Sequence, residues 1–268
     1  MKTYLTLSAI ALAAAATLSS GAVMAADPAP AATPDFVVTG NFGITSDYRF
    51  RGMSQNNLDP AFQGGFDVAH SSGLYIGTWG SNVSQWAAST TGSLELDLYG
   101  GYKTEVAGFG LDIGAIAYKY PSSVQSNRSN TEEAYVGVTY GPAVFKTSYV
   151  LGKNYFATNS SDTAHSARGT VYYDLTVAQE VAPKLTASLH AGYTDYKDTS
   201  ATVGKVSYSD YNVGLAYDLN GYVFGVKYFW NNLSAGTKSW ADASSASYGS
   251  GPKNVGKDGV AVSLTKAF

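Results

Sequence analysis

Leu94-Glu95-Leu96-Asp97-Leu98-Tyr99-Gly100-Gly101-Tyr102 is the stretch whose rhythm decides the fold class. Successive side chains of an extended strand point to opposite faces, so Leu94, Leu96, Leu98, Gly100 and Tyr102 share one face. Glu95, Asp97, Tyr99 and Gly101 take the other. A helix has no comparable way to separate each carboxylate from the leucines on either side of it. The same period of two recurs downstream. Val171, Tyr173, Leu175 and Val177 oppose Tyr172, Asp174, Thr176 and Ala178, and Leu185, Ala187, Leu189, Ala191 and Tyr193 oppose Thr186, Ser188, His190 and Gly192. Tyr222, Phe224, Val226, Tyr228 and Trp230 oppose Val223, Gly225, Lys227, Phe229 and Asn231. Apolar residues on one face and polar or small ones on the other, over about ten residues, are what a strand between lipid and a wet lumen requires.

Extending the pattern gives about twelve strands, near 36–47, 60–70, 74–85, 93–104, 110–120, 131–140, 143–155, 167–178, 185–196, 206–219, 222–232 and 258–268. The connections alternate in character. Long polar ones fall at 48–59, 86–92, 121–130, 156–166, 197–205 and 233–257. Between them come Ser71-Ser72-Gly73, Glu105 to Phe109, Gly141-Pro142, Val181 to Lys184 and Asn220-Gly221. Asn-Gly between two alternating runs is a strong hairpin signal. Long loops at one end and tight turns at the other predict an all-β, transmembrane, antiparallel up-and-down barrel, with short periplasmic turns and longer extracellular loops.

Composition agrees with this reading. Among 268 residues, 29 Gly, 21 Tyr and 11 Phe suit antiparallel strands with aromatic belts. A net charge of −3 gives no basic face for nucleic acid. With no cysteine, a disulfide framework, a thiolate metal site and a cysteine nucleophile are all excluded. Residues 1–25 read as a signal peptide: Met1-Lys2, an apolar run from Tyr4 to Leu18, and Val23-Met24-Ala25 before the cut. Residues 26–35 read as a flexible periplasmic lead-in, and 36–268 as the barrel. The outer membrane is the expected address. Phe268 ends the chain, with Leu264, Val262 and Val260 on its face, as the barrel-insertion machinery expects; Lys266 departs from that pattern.

The N-terminal third is denser in motif. Ser46-Asp47-Tyr48-Arg49-Phe50-Arg51-Gly52 is followed by Pro60-Ala61-Phe62-Gln63-Gly64-Gly65, then by Gly73 to Asn82 and Glu95 to Tyr102. Over residues 36–102 this resembles the TorF family of proteobacterial outer-membrane porins, with a looser likeness through to Phe268. The resemblance implies location and barrel architecture without a substrate. Read from the residues alone, Asp47, Arg49 and Arg51 alternate at a strand end and should face the lumen mouth. Tyr48 and Phe50 should then face lipid at the aromatic girdle, with Gly52 and Pro60 punctuating the first loop and Gln63 returning inward. The two arginines make either a cationic constriction or an interior salt-bridge network with Glu95 and Asp97 that fixes register.

Catalytic patterns are scarce. His70 borders a turn, His165 lies in a long loop, and His190 sits mid-strand with Ser188 two positions away on the same face. That Ser-x-His pair is the one candidate for a lipid-modifying barrel enzyme. No G-x-S-x-G elbow, zinc helix, phosphate loop or spaced calcium ligand set occurs, so neither a cofactor nor a metal is expected. Inward charges comprise Glu95, Asp97, Asp112, Asp174 and Asp210 against Lys146, Lys227, Arg49 and Arg51, a balance that predicts mild cation preference. Loop 233–257 is a candidate gate. The sequence thus predicts a passive, non-enzymatic, porin-like pore for small hydrophilic solutes, held in outer-membrane lipid and lipopolysaccharide. A closed structural or adhesive barrel is the alternative.

Overall fold

The computed structural model describes residues 35–84, 93–121, 129–156, 166–197, 207–233 and 255–268. The expected signal peptide, all but the last residue of the lead-in, and His165 lie outside the described residues. One sheet forms from β1 (Phe36–Thr45), β4 (Ala61–His70), β5 (Leu74–Asn82), β6 (Leu94–Val106), β7 (Phe109–Lys119) and β8 (Thr131–Tyr140). It continues through β9 (Ala143–Val150), β10 (Val171–Ala182), β11 (Leu185–Asp195), β12 (Tyr208–Leu219), β13 (Tyr222–Asn231) and β14 (Gly259–Ala267). These twelve strands pair with their sequence neighbours, and β1 pairs with β14, so the barrel is closed. Every strand pairing in it is antiparallel. The remaining two strands, β2 (Arg49–Phe50) and β3 (Met53–Ser54), form a separate two-stranded sheet.

Closure satisfies the edge amides that an open sheet leaves unpaired. Asn41 to Thr45 run opposite Ala267 to Ser263. Beyond them the Phe268 N–H donates to the Gly40 carbonyl at 2.9 Å, and the Gly40 N–H to that of Phe268 at 2.8 Å. The terminal ring lies outside, edge-on to Phe66 at 6.3 Å. Lys266 is also on the outer face, where its ammonium lies over the Tyr222 ring at 4.5 Å and donates to the Asn220 carbonyl at 3.2 Å. A charge near a rim is held in this way without entering the apolar band.

The tight turns have the conformations their residues dictate. Asn220 and Gly221 both carry positive φ, 56° and 81°, the pair a type I′ turn needs. Two expectations shift. β9 ends at Val150 rather than at 155, and residues 151–156 are irregular, with the Tyr155 hydroxyl turned to the Arg51 guanidinium. β10 occupies 171–182 rather than 167–178: it stays in register with β11 as far as Glu180, and a bulge between Glu180 and Ala182 then leads into the turn at Pro183–Lys184. At its other end Ala167 and Thr170 are fully buried in loop structure instead.

The exterior is apolar. Phe62, Ile76, Leu98, Leu189, Phe224 and Val262 are each about half exposed or more on that face. Aromatic pairs mark both ends: Phe109 stacks on Tyr140, and Trp230 on Tyr211 and Tyr228. The interior is lined by tyrosines laid across glycines. Tyr75, Gly101, Gly114 and Tyr135 form one row across β5, β6, β7 and β8. The two rings lean toward each other over the two glycines until their hydroxyls hydrogen-bond, and Tyr75 also donates to Asp112 at 2.7 Å. A Cβ on Gly101 would lie 2.5 Å from the Ile113 carbonyl oxygen, and one on Gly114 2.5 Å from the Tyr135 hydroxyl. Tyr99 covers Gly77 in the same fashion and donates to Asp67 at 2.7 Å. Large polar rings therefore lie flat along the wall.

Candidate functional site

The chain leaves the barrel wall at Thr45 and turns inward. Phe50 pairs with Met53 and Arg49 with Ser54, closing a hairpin whose two turn residues are Arg51 and Gly52. Both have positive φ, 48° and 76°. Glycine adopts that conformation freely, whereas arginine rarely does. What holds Arg51 there is its side chain. Its guanidinium makes a bidentate pair with Glu133 of β8, at 2.8 and 2.7 Å, and donates to the Tyr155 hydroxyl at 2.9 Å. The Tyr172 ring lies under it at 4.3 Å and Phe50 at 4.7 Å. Its backbone carbonyl accepts from the Tyr208 hydroxyl at 2.8 Å. Burial opposes its charge, but Glu133 outweighs that and holds the guanidinium above its ordinary pKa. The tip is thus fixed at once to β8, β10 and β12. Gly52 sits so close to β12 that an added Cβ would be 2.6 Å from Asp210 Cβ.

The base of the hairpin is tied just as firmly. Arg49 donates to Asp47 at 2.5 Å and to the Lys257 carbonyl at 2.7 Å, while Ser54 donates to Asp47 at 2.6 Å and through its N–H to the Val255 carbonyl at 2.9 Å. Ser84 N–H donates to the Gln55 carbonyl at 2.9 Å. The described part of the first long loop is therefore folded inward and anchored at the loop end of the barrel. Loop 233–257, the expected gate, lies mainly outside the described residues; its returning end at Val255 is buried and serves as an anchor.

Two expectations fail here. Tyr48 and Phe50 do not face lipid: Tyr48 is 2% exposed, edge-on to Trp79, and Phe50 packs on Tyr118 and Phe156. The strand parity that assigned them stops at Thr45, where the wall ends. Nor do the arginines pair with Glu95 and Asp97, since Arg49 is committed to Asp47 and Arg51 to Glu133. Burial, and then the charges of Glu95 and Asp97, push the Tyr48 phenol well above its usual pKa, so it stays a donor and reaches Glu95 at 3.4 Å.

The other expected inward residues are on the lumen face. Gln63 donates to Ser81 at 3.4 Å. Gly64 is on the outward parity, beside the Asn41 carbonyl, and Pro60 offers its carbonyl to Asn82 at 3.3 Å. Ser46 exchanges hydrogen bonds with Val262 of β14. Lys146 lies over the Tyr135 ring at 3.9 Å, and Lys227 packs its stem against Gly214. His190 is held between two carboxylates, Asp210 at 3.1 Å and Asp174 at 3.5 Å, with Tyr172 and Thr176 each at 3.2 Å. Ser188 lies instead beside Gly214. A histidine between two carboxylates braces β10, β11 and β12 beneath the hairpin tip. Glu133, Tyr155 and Tyr172 were not singled out by sequence reading. The parity of Thr131, Glu133 and Tyr135 was the available signal for Glu133.

The profile of a family described as "Bacterial protein of unknown function (Gcw_chp)" matches residues 29–268. No curated protein matches the sequence. Among solved structures, the NanC porin shares 11% identity at a TM-score of 0.51, covering 87% of this chain and 99% of that one. The KdgM porin shares 8% at 0.48, covering 87% and 98%, and Pseudomonas aeruginosa OccK5 (OpdH) shares 11% at 0.41, covering 88% and 67%. The likeness to NanC speaks for the barrel fold and nothing finer.

Proposed function

The chain belongs to the Gcw_chp family of bacterial proteins of unknown function, and we propose that this protein is an outer-membrane, porin-like channel through which small hydrophilic solutes or ions diffuse passively. The observation that carries this reading is the sorting of side chains on a closed wall. Phe62, Ile76, Leu98 and Phe224 point out, while Asp67, Asp112, Lys146 and Asp174 line the inside. Only a cylinder with lipid outside and water within stabilises that sorting. The signal peptide of residues 1–25, the terminal Phe268 read by the insertion machinery and the likeness to the TorF porins all belong to this proposal. So do contacts with lipid and lipopolysaccharide.

Solute size is set at the loop end, where the hairpin of residues 49–54 narrows the lumen. Inward carboxylates, with Glu133 now among them, outnumber the inward lysines and arginines, which supports a preference for cations. A second reading, a barrel closed by its own hairpin, is favoured by how completely Tyr48, Arg51 and Ser54 are buried.

Planar-bilayer recording of the purified full chain separates the two. Small discrete current steps, with reversal potentials in asymmetric salt that favour cations, support the channel. A silent bilayer together with no liposome swelling by small sugars would refute it and leave the closed barrel.

A further inference from the structure

We infer that Glu95 and Asp97 form a binding site for one divalent cation of the calcium class, seated beneath the in-folded hairpin. The site goes beyond the channel reading and does not depend on conduction. Both carboxylates project from β6 on successive inward positions. They are 1% and 0% exposed. Three of their four oxygens, Glu95 Oε2 and Asp97 Oδ1 and Oδ2, have no hydrogen-bond partner, and only Glu95 is met by phenols, those of Tyr48, at 3.4 Å, and Tyr120. Arg49 and Arg51 are committed to Asp47 and Glu133, and Lys119, on the adjoining strand, pairs with Glu132.

A buried carboxylate without a partner is strongly disfavoured, and two side by side more so. A single shared proton would leave one negative charge and two or more oxygens unsatisfied. A divalent ion cancels both charges and takes all four oxygens as ligands. Hard cations of this kind accept six to eight oxygens in flexible geometry at about 2.3–2.6 Å, which carboxylates, the Tyr48 hydroxyl and lumen water supply. Because Tyr48 belongs to the loop and Glu95 to the wall, the ion also ties the hairpin's base to β6.

The row that holds Asp97 supplies its own reporter. Trp79 is the direct cross-strand partner of Asp97. Terbium, an oxygen-seeking stand-in for calcium, emits when a tryptophan this near is excited. Titrating terbium into the detergent-refolded full chain should give sensitised emission that saturates at one equivalent and is displaced by calcium. Loss of an outer partner of a metal site alone costs about 10–100-fold in affinity, so Asp97→Asn should weaken binding at least that much. Under excitation selective for tryptophan over tyrosine, Trp79→Phe should abolish the emission while calcium still raises the unfolding temperature. Folding of each variant is checked by heat-modifiable gel mobility. The inference is overturned if the Glu95→Gln/Asp97→Asn double variant keeps the emission. It is equally overturned if the wild type shows none, or if that double variant gains heat stability that calcium does not give the wild type, since the carboxylates would then be carrying protons.

Discussion

Replacing Arg51 with alanine should unseat the hairpin and open the channel. The guanidinium is 6% exposed and Glu133 1%, so solvent screens this pair little. Removing one partner of such a buried pair costs about 3–5 kcal/mol, because the other charge is left without compensation. Here the stranded group is Glu133, whose charge already bears on that of Asp97. The contacts with Tyr155 and Tyr172 go as well, while the positive φ of residue 51 remains unfavourable for alanine. At about 1.4 kcal/mol per factor of ten, the seated-to-released ratio falls roughly a hundredfold to several thousandfold. In a planar bilayer this appears as longer or larger open events. Arg51→Lys should lie between, since an ammonium cannot make the bidentate pair. Adding Glu133→Gln to Arg51→Ala removes the stranded charge and should recover about 1–3 kcal/mol of heat stability. If Arg51→Ala conducts and melts like the wild type, the hairpin is not held by this pair and the reasoning fails.

Gly52→Ala should also displace the tip, by both its positive φ and its 2.6 Å approach to Asp210, at about 1–3 kcal/mol; unchanged open-state occupancy would contradict this. Gly101→Val puts a branched side chain where Tyr75 lies on the wall, and should lower the temperature at which the barrel unfolds on heated gels by an amount corresponding to about 1–3 kcal/mol. The pH response has a definite sign. The Tyr48 and Tyr120 phenols are raised, chiefly by burial, so the folded mouth keeps protons that a released loop gives up above about pH 10. Stability is full below that pH and falls as pH rises past it, and tyrosinate absorbance should lag behind free tyrosine until the mouth opens. Arg51 stays charged throughout, so an abrupt release of the hairpin between pH 7 and 9 would contradict the assignment.

The barrel was legible because lipid and water impose a period of two that no local choice can hide. Leu94 to Tyr102 alone separates the faces, and tight turns such as Asn220-Gly221 fix where strands end. The four-residue shift of β10 was not legible, since nothing local marks Ala167 and Thr170 as residues buried in the loop rather than the wall. The hairpin was half legible. Asp47, Arg49 and Arg51 do turn inward, but parity carried past Thr45 sent Tyr48 and Phe50 the wrong way. Nothing in the spacing announces that an Arg-Gly pair will take two positive φ values. That conformation is held by Glu133, 82 residues away along the chain, and becomes visible only once the sheet's register is known.

The chain has no cysteine, so single cysteines carrying nitroxide labels can be placed at will. Labels at 222 to 229 along β13, and at 48 and 50, should be read for access to oxygen, which favours lipid, and to a water-soluble nickel complex. The account predicts strict alternation along β13, with even positions in lipid and odd ones facing the lumen, and residues 48 and 50 shielded from lipid. Uniform access along β13, or residue 48 in lipid, would contradict it.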